Sequence, residues 1–523
     1  MEVPATLDNP KHLWIAGAAA PGHGEVIPVE NPATGEIVDY VQSADDDDVN
    51  ATVSAAHAAY KSGSWSRASR HERAAVLDRA ASHITANLTM LIDLEVSQTG
   101  RTVREMKAQV PGLVRWFQYY AALLRTEERP VLPTTGLLHN WVDRVPLGVV
   151  VLVTPFNHPL LIAVKKLAPA LAAGNSVVLK PSELTPTSAL VLGRLLREAG
   201  LPDGAFSVLP GYGATTGRAL VEHPLVRKVD VTGGTAAGRA IGALAGSRLS
   251  KFTAELGGKA PVVVLDKACV QAAVNGAVFG GYIASGQTCV AATRIIVHDA
   301  VREDFEALLE KKVASIAARI GAPTNTQSMM GPLISKRQMD RVAALVDEAV
   351  SSGKARVVCG GSRMSGSSAL DGTSFDTGYF YAPTVLASTS AQSILDTRIW
   401  REEAFGPVLV VVGCANEAEA VALANDSEFG LGAAVWTEDV AQAFRVTEKI
   451  EAGIVWVNSH HRNDPSSPWG GLKPDSGVGS ENGRDAYYAY TKMKSTIINY
   501  AASEDIVAGE DWFREDAAEV RYG

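Results

Sequence analysis

The sequence predicts an α/β protein built on a doubly wound parallel sheet, and three observations carry that prediction. From about residue 145, short β-branched runs alternate with segments of helical character. The strand-like runs are apolar throughout rather than alternating in polarity, which is the pattern of a sheet covered by helices on both faces. The alternation starts again after residue 289, and 523 residues are too many for one core, so two or three lobes are expected.

In the first series the strands are predicted at 148–153 (GVVVLV), 176–180 (SVVLK), 206–210 (FSVLP), 226–232 (VRKVDVT) and 261–266 (PVVVLD). Between them lie LLIAVKKLAPALAAG, TSALVLGRLLREAG, TTGRALVEHP and AAGRAIGALAG, read as helices. Upstream, the acidic run at 45–48 suits the N-terminus of a helix continuing through VNATVSAAHAAYKSG, where carboxylates oppose the positive end of the dipole. The second series runs through TRIIVHD, a long helix near 301–318, ARVVCG, APTVLA, GPVLVVVG, GAAVWT and GIVWVN. The Gly- and Ser-rich stretch 360–378 reads as a surface loop, and the acidic tail after about 500 as a segment packed on a partner subunit or mobile. No internal repeat is present.

Composition narrows the function classes. A hydrophobic fraction of 46% and a charged fraction of 20% are those of an ordinary globular protein. The four cysteines (Cys269, Cys289, Cys359, Cys414) are widely spaced, which argues against a disulfide framework or a zinc site, so no metal is expected. A reducing, cytoplasmic setting follows. The N-terminus carries no signal or transit pattern, and no apolar run approaches the roughly 18 residues of a membrane span. A net charge of −9 without a basic stripe speaks against nucleic acid as a partner.

Three features point to chemistry. Cys289 sits among small and hydroxylated residues in ASGQTCVAATR; alone, it reads as a small buried hydrophobe. Glu255 precedes Gly-Gly in FTAELGGKAP, at the apparent entry to a strand, where a turn is an equal reading. Asn157, in TPFNHP, lies just past a strand's C-terminal end; by itself it is a turn residue, but such ends are where open α/β sheets bind ligands. Lys180 and Glu183 in VVLKPSE follow a strand and suit a ribose or phosphate. VTGGTAAGR (231–239) opens a helix toward a possible anion, although Thr235 replaces the middle glycine of the dinucleotide fingerprint.

Taken together, these motifs resemble the aldehyde dehydrogenase superfamily, from NPATGE (31–36) to KSTIINY (494–500). ELGGKAP, GQTC and EEAFGPV (402–408) in that order are the most specific; PFNHP, KPSE, VTGGTAAG and SPWGGLKPDSGVG add to them. The resemblance implies a Rossmann-like NAD-binding domain (1–126 and 147–256), an α/β catalytic domain (257–474), a protruding β oligomerisation element (127–146 and 488–500) and a tail (501–523). It implies that Cys289 attacks the aldehyde carbon as thiolate. The Asn157 amide and the Cys289 backbone N–H would hold the oxyanion, such donors being worth roughly 3–4 kcal/mol each. Glu255 would activate the water that hydrolyses the thioester.

For the cofactor, the resemblance assigns Lys180 and Glu183 to the adenosine ribose and Thr232, Gly233 and Gly234 to the pyrophosphate. It gives Glu403 to the nicotinamide ribose and Phe405 to the nicotinamide, with Thr154, Pro155, Phe156, Ser182 and Leu256 along the same groove. A carboxylate at 183 favours NAD over NADP. The substrate tunnel is expected from Trp116, His158, Ile162, Lys165, His461, Asn463 and Trp469. His158 stands where a phenylalanine is common, and Lys165 where some members carry tryptophan or arginine. Aromatic walls with a cation suit a hydroxylated aromatic aldehyde such as salicylaldehyde or vanillin. An acidic semialdehyde is the alternative, then a broad aliphatic range; a silent structural protein on this fold is a remote one, since neither nucleophile nor base is lost. The partners implied are a small aldehyde and further copies of the chain, as a homodimer or homotetramer.

Overall fold

The computed structural model describes residues 6–390 and 392–516. The apolar runs form two large sheets. The first has eight strands in the order Gly477–Val478, Lys251–Glu255, Val226–Thr232, Val149–Val153, Ser176–Lys180, Phe206–Val208, Leu13–Ile15, Ala18–Ala20. From Lys251–Glu255 to Phe206–Val208 the neighbours are parallel, and both edges are closed by antiparallel pairs. The second sheet runs Ala355–Cys359, Thr384–Ser388, Val408–Cys414, Ala292–His298, Ala260–Val264, Gly432–Trp436, Ile454–Val457, all parallel except the first pair. Helices cover both sheets, as continuous apolar strands require.

The helix after the acidic run spans Asp46–Ser62. Asp45 caps it and exchanges hydrogen bonds with Asp48, and Gly63 ends it in a left-handed turn (φ 85°). TTGRALVEHP is helical only in part: a wide turn at Gly213–Gly217 leads into a short helix, Arg218–Glu222. The 360–378 loop lies on the surface of the second lobe, where Asp371 accepts from the Ala322 amide at 3.0 Å.

Two expectations change. Lys251–Glu255 is itself a strand of the first sheet, so Glu255 stands at the exit of a strand, not at its entry. The following strand, Ala260–Val264, belongs to the second sheet. The Gly-Gly pair is the crossing between lobes. Residues 475–487, which the domain division left out, return to the first lobe: Gly477–Val478 adds to its sheet and the helix Gly483–Ala489 packs on Pro159–Ala172.

The two crossings lie side by side. Leu256 N donates to Ser476 O at 3.1 Å, and Ser476 Oγ donates to Gly257 O at 2.8 Å. Elsewhere the lobes are tied by Tyr379 N to Pro32 O (3.0 Å), Val103 N to Pro323 O (2.7 Å) and Ala284 N to Glu105 Oε1 (3.1 Å). A third sheet pairs Thr491–Asn499, Leu138–Pro146 and Val131–Leu132 antiparallel, with Val131, Met493 and Ile497 exposed. The tail forms a surface helix, Ser503–Glu510, with no buried residue; its last residues, 517–523, lie outside the described residues.

Candidate active site

A cleft of about 1080 Å³ lies between the lobes. The first lobe lines it with the loops that follow Val149–Val153, Ser176–Lys180, Val226–Thr232 and Lys251–Glu255. The second supplies residues that precede its strands, among them Cys289 and Phe405.

Cys289 follows three successive left-handed residues, Ala284, Ser285 and Gly286 (φ 51°, 57° and 73°). Two of these have side chains and pay for that conformation, which persists because the surroundings hold it. Ala284 N donates to Glu105, Ser285 Oγ to Gly331 O (2.8 Å), and Gln287 Oε1 accepts from Ile334 N (3.0 Å). Asn157 joins the same turn, its Nδ2 donating to Gln287 O at 2.8 Å while its Oδ1 has no partner. One amide N–H of Asn157 therefore remains for a ligand. Burial pushes the Cys289 thiol up to about 12, with Lys165 opposing and the carboxylates of Glu255, Glu403 and Glu481 adding to the rise.

Glu255 is 2% exposed and neither carboxyl oxygen has a hydrogen-bond partner. Burial, then the nearby Glu481, holds its proton well above the usual carboxylate range. Its main-chain carbonyl accepts from Gly233 N at 3.1 Å, which ties the carboxyl-bearing strand end to the glycine loop. Gly257 and Gly258 are glycines because of what lies against them. A Cβ at 257 would meet Glu403 Oε2 at 2.6 Å, and one at 258 would meet the Cys289 carbonyl oxygen at 1.9 Å. Gly258 N donates to Glu403 Oε1 (2.9 Å), and burial raises that carboxyl to about 7.

Of the residues expected along a cofactor, Pro155, Phe156, Ser182, Glu183, Thr232, Gly233, Gly234, Leu256, Glu403 and Phe405 line the cleft. Gly233 and Gly234 have open space where a Cβ would stand, and the helix Thr235–Ser247 begins there with no side-chain cap on its amides. That is a ready anion site. Phe405, itself left-handed (φ 54°), stands edge-on to Phe156 at 5.8 Å. Thr154 and Lys180, also expected along the cofactor, are buried and do not line the cleft. Thr154 N is used in a strand-end bond to Lys180 O, and Lys180 Nζ donates to Pro181 O (2.7 Å), 3.9 Å from Glu183; burial lowers its pKa to about 8.

At the other end the wall is His158, Ile162, Lys165, His461, Asn463 and Trp469. Lys165 is not a free cation: its Nζ pairs with Glu481 at 2.7 Å and sits 4.6 Å from the Trp469 ring. Glu481 also takes Lys166 (2.6 Å), which pairs in turn with Asp230, and these two lysines hold the Glu481 carboxyl down at about 2. The ring of His461 is edge-on to His158 (6.2 Å). Trp116 is misplaced by the sequence reading. It is packed in the first lobe's core, its Nε1 donating to Asn482 Oδ1 at 2.8 Å, and does not reach the cleft. Arg101, Gln109, Lys166 and Glu481 carry the wall's polar framework, and none has a local sequence signal that would have found it.

A thiol, a free amide N–H and an unpaired carboxyl lining one cavity suit chemistry that proceeds through a covalent sulfur adduct, in a cleft that also holds an uncapped helix start. The chain belongs to the aldehyde dehydrogenase family, whose model matches residues 19–496, and is thereby an aldehyde-oxidising oxidoreductase. It is 40% identical over 479 residues to a phenylacetaldehyde dehydrogenase of Pseudomonas fluorescens, covering 90% of this chain and 92% of that one. With a betaine aldehyde dehydrogenase of Brucella anthropi the identity is 38% over 476 residues (91% and 94% covered). Among solved structures, the betaine aldehyde dehydrogenase of Staphylococcus aureus in complex with NAD+ superposes with a TM-score of 0.90 at 32% identity, covering 97% of each chain. An NAD-dependent aldehyde dehydrogenase from Sinorhizobium meliloti gives 0.89 at 33%, covering 95% and 96%.

Proposed function

We propose that this chain oxidises an aromatic, ring-hydroxylated aldehyde to its carboxylic acid, with NAD as the acceptor. The observation that carries the oxidation is the meeting of Cys289, Asn157 and Glu255 on one cleft whose other arm is the glycine loop 232–234. The empty space over Gly233 and Gly234 and the uncapped helix start fit a pyrophosphate. Glu403 and Phe405 would flank the nicotinamide half and Glu183 the adenosine ribose, where its carboxylate disfavours a 2′-phosphate.

The Cys289 thiolate adds to the aldehyde carbon, and the free Asn157 N–H and the Cys289 backbone N–H take the oxyanion. NAD held between the glycine loop and Glu403 and Phe405 would supply the hydride acceptor there; loss of hydride from that carbon would leave a thioester on Cys289. Glu255 takes a proton from water, the hydroxide adds to the thioester carbon, and the acid leaves as the thiolate is restored. Both Glu255 oxygens are without a partner, so either has a lone pair available for that proton.

The wall of His158, His461 and Trp469 supports an aromatic substrate, and the phenylacetaldehyde-oxidising relative agrees with it. A semialdehyde is less well served, because Glu481 already meets the Lys165 charge. A cationic aldehyde finds no free carboxylate at that end, since two lysines hold Glu481. The third sheet, with its exposed apolar residues and open edge, supports assembly with further copies of the chain. Four free cysteines suit a reducing cytoplasm. The deciding experiment is steady-state NADH production over benzaldehydes, phenylacetaldehyde, semialdehydes, betaine aldehyde and fatty aldehydes. Highest kcat/KM on a hydroxylated benzaldehyde is the expected result; highest kcat/KM on betaine aldehyde or a fatty aldehyde overturns the substrate assignment.

A further inference from the structure

His158 is 5% exposed and lines the cleft immediately after Asn157, yet its Nε2 has no hydrogen-bond partner. Its other nitrogen is crowded. Arg101 Nη1 lies 2.6 Å from His158 Nδ1, and Gln109 Nε2 lies 3.0 Å from it. A guanidinium can only donate. The Gln109 amide is oriented too, because its Oε1 accepts from Arg101 Nη1 at 3.0 Å and leaves its Nε2 to donate. Gln109 Oε1 also lies 3.5 Å from Nδ1, but the guanidinium contact is shorter and decides the role: the single lone pair of Nδ1 accepts, and the ring proton is on Nε2. Neither Arg101 nor Gln109 lines the cleft while His158 does, so the Nδ1 edge is the one turned to the protein, and Nε2, on the other edge, is buried without a partner. Arg101 is itself fixed, by Glu105 at 2.8 Å, and reaches the Asn157 carbonyl at 3.4 Å. A buried donor left unpaired costs free energy until a ligand supplies an acceptor.

We infer that His158, locked by Arg101 and Gln109 with its Nε2–H free, is a specificity-determining donor that reads an acceptor oxygen on the aldehyde away from the reacting carbon. This rests on the proposed oxidation of ring-substituted aromatic aldehydes. It adds that the substituent is recognised as an acceptor, so a methoxy group serves as well as a hydroxyl, and that Lys165 is not the reader. Arg101 is a positioning residue.

The test compares kcat/KM for benzaldehyde and phenylacetaldehyde with their ring-hydroxylated and ring-methoxylated counterparts, in the wild type, His158→Phe and His158→Gln. In the wild type one hydroxy isomer and its methoxy partner should exceed the parent by about tenfold, chiefly through KM. His158→Phe should bring that ratio to about one, and His158→Gln, whose amide N–H stands near the Nε2 position, should restore part of it. A wild-type ratio near one, or a ratio unchanged in both variants, overturns the inference. Should His158→Phe not fold, the wild-type series and His158→Gln still decide. A 15N spectrum of histidine-labelled protein, assigned by difference against His158→Gln, should show Nδ1 unprotonated; a proton there overturns the inference independently of turnover. Absence of NADH from every aldehyde would instead defeat the proposed oxidation, and the nitrogen spectrum would still report the tautomer.

Discussion

The two walls of the cleft are made from opposite ends of parallel strands. The first lobe presents loops that leave its strands, and there Gly233 and Gly234 look onto empty space beside an uncapped helix start. The second presents residues just ahead of its strands, and there the glycines are filled against protein: Gly258 against the Cys289 carbonyl, Gly286 against Gly406 O, where a Cβ would come within 2.2 Å. The first wall keeps open space beside Asn157 and Glu255; the second uses close backbone contact to fix the segment that carries Cys289.

That contrast can be tested first at one group from each wall. Cys289→Ala should abolish aldehyde oxidation, by more than about 10⁴-fold, while fluorescence titration still shows NAD binding. Retained turnover would mean the thiol is a bystander. Glu255→Gln should release about one NADH per site in a burst and then turn over roughly 10²- to 10³-fold more slowly, because thioester hydrolysis has lost its base; stopped-flow absorbance reads both phases. With its pKa raised to about 12, the Cys289 thiol gains thiolate as pH rises, so its alkylation by iodoacetamide should speed up by about tenfold per unit from pH 7 to 9. A flat profile would contradict the burial that causes the shift.

The smallest effects sharpen the comparison most. Gly233→Ala has room for its methyl, so thermal unfolding should stay within about 1 °C of wild type while KM for NAD rises by about tenfold. Gly258→Ala should do the reverse of the first result, lowering Tm by several degrees, since a methyl there needs the Cys289 backbone to move.

Much of this was legible beforehand where local pattern and long-range structure coincide. Ser176–Lys180 and Val226–Thr232 appear at their predicted bounds, because runs of β-branched residues flanked by turns leave few alternatives. The helix at Asp46–Ser62 starts where its carboxylates cap it. Lys251–Glu255 was not read as a strand because KFTAE carries a charge at each end; its pairing with Val226–Thr232 supplies what its composition lacks. The strands Leu13–Ile15 and Ala18–Ala20 are too short for any periodicity. At the site, the motifs located Cys289, Glu255 and Asn157 but gave no view of contacts across the fold. Trp116 was assigned to the tunnel on residue type, although its indole is held by Asn482 far along the chain. By residue type Lys165 reads as an open cation, but Glu481, in a stretch with no motif of its own for the role, neutralises it.

The ties between the lobes have a mechanical consequence. The chain's two passages, at 256–258 and near 476, are stitched together at the back, and hydrogen bonds from residues 32, 103 and 105 brace the flanks. A housing bolted on several sides does not open like a jaw. Any ligand of the cleft must then enter and leave between lobes that are already braced.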